Sequence, residues 1–240
     1  MQKCLGLVVN PGIAFGKIYI LCNDEAIDSS VIEHPNQLEV LNKALVESTK
    51  RIEEQIQSAH RIYSDRISVI FEAHKLMMND SMILDKAKAK IQEGFSAYEA
   101  YKQSTQEAIS LFKKHPNEYL RNRIVDIEDA TDRVLSSILD KEYEVVCTFD
   151  EPRILVMKKM KPSIFFNCDK DNVAGFISEE GSYNQHSGMI ARTKDIPGMI
   201  ISNIFEHVKD NDYILLNAFE GEVFINPEDE FVKKLLEERR

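Results

Sequence analysis

Residues 5–21 read LGLVVNPGIAFGKIYIL, and the fold turns on where this stretch finds partners. LGLVV and KIYIL are short apolar runs of strand composition, and NPGIAFG between them carries Pro11, Gly12 and Gly16, which predict a loop. Strand-like sequence then disappears for more than a hundred residues. From about Asn36 to Leu139 the apolar positions follow a helical period: Leu38, Leu41, Leu45, Ile52 and Ile56, then Ile67, Phe71 and Met78, then Ala108, Leu111 and Phe112. Asp126, Asp129, Asp132 and Arg133 interleave with Ile127, Ala130 and Val134, as on the polar face of an amphipathic helix. Polar links at Ser64–Asp65, Gly94 and His115–Pro116 predict antiparallel helical hairpins. After Glu142 the strand pattern returns as RILVMKK, IFFNC, VAGFISEE, GMIIS, DYILLNA and EVFIN, with SGMIARTKD as a helix among them and EDEFVKKLLEERR as a closing helix. Strand material on both sides of a helical middle predicts a discontinuous α/β domain, residues 1–23 and 144–228. An all-α helical bundle is inserted at 24–143, and residues 229–240 form a terminal linker helix.

Composition narrows the partners. The 240 residues are 43% hydrophobic and 29% charged, with a net charge of −10. That balance disfavours a nucleic-acid backbone and suits a partner with a basic face. The helical middle holds much of the acidity: residues 24–144 contain 16 basic and 23 acidic side chains, a net of −7. No apolar run is long enough to span a membrane, and the start MQKCLGLVVNPG lacks the pattern of a signal peptide. Cys4, Cys22, Cys147 and Cys168 are scattered, which predicts reduced thiols and a cytoplasmic protein. His34, His60, His74, His115 and His207 are too dispersed to nominate a metal site.

Residues 180–198, EGSYNQHSGMIARTKDIPG, hold the sixth histidine, His186. A strand ends before Gly181 and a helix is predicted to begin near Ser187, which places His186 at a helix N-terminus. Unpaired backbone N–H groups and the positive end of the dipole favour an anion there. Asn184, Gln185 and Ser187 add polar side chains, and Arg192 adds positive charge. An unperturbed imidazole is neutral at physiological pH, so a ring beside such donors can act as a nucleophile toward a phosphoryl group. The same local pattern also describes a solvated or capping histidine, and local composition leaves both readings open.

Taken with other segments, this run resembles a known family. G-S-Y-N-Q-H-S-G-M-I-A-R-x4-I-P-G is similar to the phosphohistidine signature of the phosphoenolpyruvate-utilising enzymes. NPGIAFGKIYIL at 10–21, IFEAHKLMMND at 70–80, EYLRNRIVDIEDATDRVL at 118–135 and NDYILLNAFEGEVFINP at 211–227 resemble, in order, the N-terminal half of Enzyme I of the sugar phosphotransferase system. The resemblance implies a swivelling β/β/α-type phosphohistidine domain with an inserted helical subdomain that docks the phosphocarrier protein HPr. It implies that His186 accepts the phosphoryl group, with Arg192, Asn184, Gln185 and Ser187 around it. It implies docking by Glu72, His74, Leu76, Met77, Asp80 and Phe112, with Arg123 where the two subdomains cross. Phosphoenolpyruvate and Mg2+ would belong to a separate C-terminal domain that also dimerises, so these residues would form a monomer, would need no cofactor of their own and would exchange phosphate only with the carrier. The chain departs from the pattern at Asn184-Gln185, which stand for Thr-Ser, at Ser182 for the second glycine, at Glu128 for an arginine, and at Arg66 and Ile67 in the docking region. Three readings follow: a phosphotransfer module, a carrier-binding module that has lost transfer, and a dikinase-type swivelling domain.

Overall fold

The computed structural model of the chain describes residues 1–21, 35–63, 65–141, 143, 149–168 and 170–237. The expected domain junctions at 23/24 and 143/144, the link residue Ser64, His34, Cys22, Cys147 and the last three residues of the terminal helix fall wholly or partly outside them. The chain divides into two compact units, residues 1–25 with 144–240, and residues 26–143.

The first unit is built on an eight-stranded sheet. Strands β1 (Gln2–Leu5), β2 (Leu7–Asn10) and β3 (Ile13–Leu21) come from the start of the chain. β4 (Arg153–Lys159), β5 (Val173–Glu180), β6 (Gly198–Ile200), β7 (Tyr213–Asn217) and β8 (Glu222–Ile225) come from its second half. The order is β1-β8-β7-β3-β4-β5-β6-β2. β3 runs parallel beside β4, with Ile18 opposite Ile154, although the bundle lies between them in sequence. NPGIAFG is therefore not all loop. Ala14, Phe15 and Gly16 pair with Leu216, Leu215 and Ile214 of β7, so cross-strand pairing overrides the glycine signal and the turn shrinks to Pro11-Gly12.

The two ends of this sheet are consecutive strands. β1 covers β8 and β2 covers β6, with only Gly6 between them. A Cβ on Gly6 would lie 2.5 Å from the Ile200 carbonyl oxygen, so no side chain fits where the ends meet. Ile18, Ile154, Val156, Ile177, Met199, Ile214, Leu216 and Val223 are buried together on one face. Helices cover the other. IFFNC, expected as a strand, lies almost wholly in helix α7 (Pro162–Asn167), its Cys168 forming the C-cap. Pro162 sits in the first turn, where its missing N–H costs nothing, and Phe165 packs edge-on against Phe176 of β5 at 4.7 Å. The helix predicted near Ser187 is α8 (His186–Thr193). The terminal helix α9 (Asp229–Glu237) is more than a linker: Val232 is buried with Leu215 and Phe224, and Phe231 stacks edge-on to Phe224 at 4.7 Å. Cys4 is a free thiol, whereas Cys168, fully buried at the end of α7, is disulfide-bonded rather than reduced.

The second unit is helical. It contains α1 (Gln37–Ile62), α2 (Asp65–Met78), α3 (Ser81–Gln92), α4 (Ala97–Lys113), the short α5 (Glu118–Arg121) and α6 (Ile124–Ile138). Labels α1 to α9 run in chain order through both units. Side-chain caps start four of these helices: Asn36 accepts from the Glu39 N–H, Asp80 from Met82, Ser96 from Glu99 and Asn117 from Tyr119. The α2–α3 turn at Asn79–Asp80 is one that helical periodicity alone does not reveal. α6 packs against α1, α2 and α4, and this central position buries it on nearly all sides. Asp126, Asp129 and Arg133, expected on a solvated face, are therefore buried at 1%, 0% and 7% exposure.

Candidate functional site

β5 ends at Glu180, and a turn at Gly181–Gln185 leads into α8. Gly181 has φ +155°, and a Cβ there would meet Met160 Sδ at 2.9 Å, so the turn needs glycine for both conformation and space. Gln185 is the N-cap but makes no side-chain capping bond, and His186 is the first helical residue. The first intrahelical bond runs from the Met189 N–H to the Gln185 carbonyl, so the N–H groups of residues 186–188 have no acceptor within the helix. The first turn carries no acidic side chain to offset the dipole.

His186 is half-buried, so its ring is reachable from solvent. Asn184 is exposed and Gln185 half-buried, whereas Ser187 is fully buried. Gln185 Oε1 and Ser187 Oγ are both buried without a hydrogen-bond partner. Unpartnered buried polar atoms cost roughly 1–3 kcal/mol each, a cost that a bound ligand can remove. The site thus combines a half-buried imidazole, a helix N-terminus with no side-chain cap and two unpartnered side-chain oxygens.

Arg192, expected beside the phosphate, is bonded within the chain. Its Nη1 donates to the Tyr183 carbonyl at 3.1 Å and to the Val9 carbonyl at 3.3 Å, and its guanidinium lies 4.1 Å from the Tyr183 ring centroid. Lys194 Nζ donates to the carbonyls of Phe166 and Cys168, closing the C-terminal end of α7 against α8. Neither Tyr183 nor Val9 stood out in the sequence, because a contact through a backbone carbonyl leaves no residue-type signal.

Residues 5–123 match the family model described as the N-terminal domain of phosphoenolpyruvate-utilising enzymes, and residues 149–221 match the one for the mobile domain of the same enzymes. The chain belongs to the phosphoenolpyruvate-utilising enzymes. The Staphylococcus carnosus phosphoenolpyruvate-protein phosphotransferase is 29% identical over 99% of this chain and 42% of its own length. The relative of the same description from Buchnera aphidicola subsp. Baizongia pistaciae is 27% identical over 98% of this chain and 42% of its own length. The chain thus spans about two-fifths of the length of these curated relatives. A solution structure of an Enzyme I protein superposes with a TM-score of 0.70 at 25% identity, covering 98% of this chain and 97% of that one. The N-terminal domain of an Enzyme 1 of the nitrogen type shares the fold, with a TM-score of 0.60 at 18% identity and 98% coverage of both chains. The resemblance to the N-terminal half of Enzyme I and the expected fold class are both borne out.

The residues nominated for docking fall into unlike environments. Leu76 is 75% exposed, Glu72 is exposed and Met77 half-buried. Val69, 55% exposed and seven residues before Leu76, continues the same outer stripe of α2, and Met82 is exposed at the start of α3; sequence reasoning missed both. Phe112 is half-buried near the end of α4. Asp80 is exposed, but its carboxylate caps α3, so its first role is structural. Arg123 is half-buried, 3.3 Å from Asp126 and stacked on Tyr119 at 4.3 Å.

His74 is not a contact residue. It is fully buried, because it shares a helix face with Ile67, Phe71 and Met78, a phase visible in the sequence. Its Nε2 lies 3.6 Å from Asp126 Oδ1 and its Nδ1 3.9 Å from Asp129 Oδ2, while Phe71 meets the ring edge-on. The Tyr143 hydroxyl donates to Asp129 at 2.5 Å, and the Arg133 guanidinium lies 5.2 Å from the Tyr143 ring centroid. Burial, followed by the carboxylates of Asp129 and Asp132, holds the Tyr143 phenol well above its ordinary range and keeps it a donor. Among the described residues no group of three or more His, Cys, Asp or Glu side chains could hold a metal ion, and no helix is long and apolar enough to cross a membrane.

Proposed function

We propose that His186 accepts a phosphoryl group from a histidine of the phosphocarrier protein HPr and returns it, as part of a phosphoenolpyruvate-protein phosphotransferase serving sugar uptake. The observation that carries this reading is the half-buried imidazole at the N-terminus of α8, which has no side-chain cap, beside the unpartnered buried hydroxyl of Ser187. In the forward step a ring nitrogen of neutral His186 attacks phosphorus as the P–N bond to the carrier ring breaks. The carrier ring, protonated on its other nitrogen, leaves as neutral imidazole. The new phosphoimidazole holds the positive charge until it gives up the proton on its other ring nitrogen. The transfer is in line, and the N–H groups of α8 and the Ser187 hydroxyl face the equatorial oxygens. Gln185 offers its amide where the family carries a hydroxyl.

The helical unit serves as the docking surface in this proposal. Its acidity steers a basic carrier, and the exposed stripe of Val69, Glu72 and Leu76 supplies the contact. Leu76→Ala is expected to weaken carrier binding about 5- to 50-fold in a titration followed by amide shifts, a loss of about 1–2 kcal/mol, while unfolding stays within about 0.5 kcal/mol of the parent. Unchanged affinity would place docking elsewhere. Incubation with phosphorylated carrier tests the whole reading: an acid-labile, base-stable phosphate on the chain supports it, and carrier binding with no transfer would leave a docking module alone.

A further inference from the structure

Arg192 offers an inference that rests on the proposed reading of His186 and assigns this arginine a different role from that of a phosphate ligand. One nitrogen, Nη1, donates to two carbonyls from different parts of the chain, Tyr183 in the turn before His186 and Val9 in β2. The guanidinium plane is covered by the Tyr183 ring, its centroid 4.1 Å away. The space is tight: a Cβ on Gly188 would lie 3.3 Å from Arg192 Nη1, 3.3 Å from the Tyr183 oxygen and 3.1 Å from Val9 Cγ1. Residue 192 is six positions beyond 186, about 9 Å along the helix axis, and its side chain reaches back along α8 to that turn.

We infer that Arg192 is a positioning residue that clasps the 181–185 turn and β2 to α8, so that transfer depends on it through the placement of His186. The chemistry of the contact is specific to arginine. Two carbonyls on one nitrogen and an aromatic ring over the plane need a flat, multi-donor cation, and a lysine ammonium cannot reproduce both. Tyr183 completes the clasp, because its carbonyl is one acceptor and its ring is the cover. The phosphoryl oxygens are left to the N-terminus of α8 and its neighbours.

The two roles separate by experiment on the whole chain. With phosphorylated carrier as donor, Arg192→Lys and Arg192→Met are expected to slow labelling of His186 alike, by about 10- to 100-fold. The equilibrium distribution of phosphoryl groups between chain and carrier should stay within about 2-fold of the parent, because in this role no guanidinium–phosphate contact is lost. Rescue by lysine, or an equilibrium shifted about tenfold toward the carrier in Arg192→Met alone, would make the arginine a phosphate ligand and overturn the inference. Tyr183→Leu, which keeps the carbonyl and removes only the ring, should give a smaller loss of the same kind and serves if the arginine variants fail to fold. A parent that takes no label defeats the proposed function but leaves the clasp readable. Amide hydrogen exchange at residues 183–188 should then rise in Arg192→Met and Tyr183→Leu, and unchanged exchange would overturn it.

Discussion

Replacing His186 by alanine is expected to abolish acid-labile phosphoryl labelling of the chain by phosphorylated carrier. The expected loss is at least about 1,000-fold, the scale of nucleophile deletions, because alanine has no atom that can form the P–N bond. The fold should tolerate the change. His186 is the half-buried first residue of α8, a position where alanine keeps helical geometry and removes little packing. Thermal unfolding should therefore move by no more than the equivalent of about 1 kcal/mol. His115, exposed in the α4–α5 connection, is the control: His115→Ala should label like the parent. Labelling that survives His186→Ala, or is lost equally in His115→Ala, would move the phosphorylation site and with it the proposed mechanism.

The largest expected effect on stability lies in the helical unit. Asp129→Ala removes the acceptor of the Tyr143 hydroxyl and one of the two carboxylates beside His74, at a position with 0% exposure. Taking one member from a buried charged cluster leaves its partners desolvated and unpaired, and such losses run to about 3–5 kcal/mol. For a unit of this size that is a fall of roughly 10 °C or more in its melting transition. Glu54→Ala, on the exposed face of α1, should change stability by less than about 0.5 kcal/mol. Urea unfolding followed by circular dichroism distinguishes them. A cost below about 1 kcal/mol for Asp129→Ala would mean that the cluster is wetter and looser than its burial indicates.

These sites differ in how far the sequence revealed them. The discontinuous sheet was legible because LGLVV and RILVMKK carry strand composition on either side of a long helical period, and composition survives without knowledge of partners. IFFNC misled for the same reason: apolar and aromatic residues suit a buried strand or a short buried helix equally, and Pro162 at its start decides between them. His186 was nominated through its motif. Arg192 was named, but its contacts are with two backbone carbonyls, which a sequence does not mark. His74 was misplaced although Ile67, Phe71 and Met78 already fixed its helix face. Asp126 and Asp129 read as solvated because the pattern of α6 cannot show that three other helices surround it.

The meeting of β1 and β2 at Gly6 has a consequence for solubility. One nine-residue segment, Gln2–Asn10, blocks two otherwise open ladders, on β8 and on β6, so a single local detachment uncovers both. Gly6→Val, which forces a side chain against the Ile200 carbonyl, is expected to self-associate through those strands more than the parent does, seen as concentration-dependent growth in light scattering. A variant that stays monodisperse would show that the segment is held by more than the fit at that one residue.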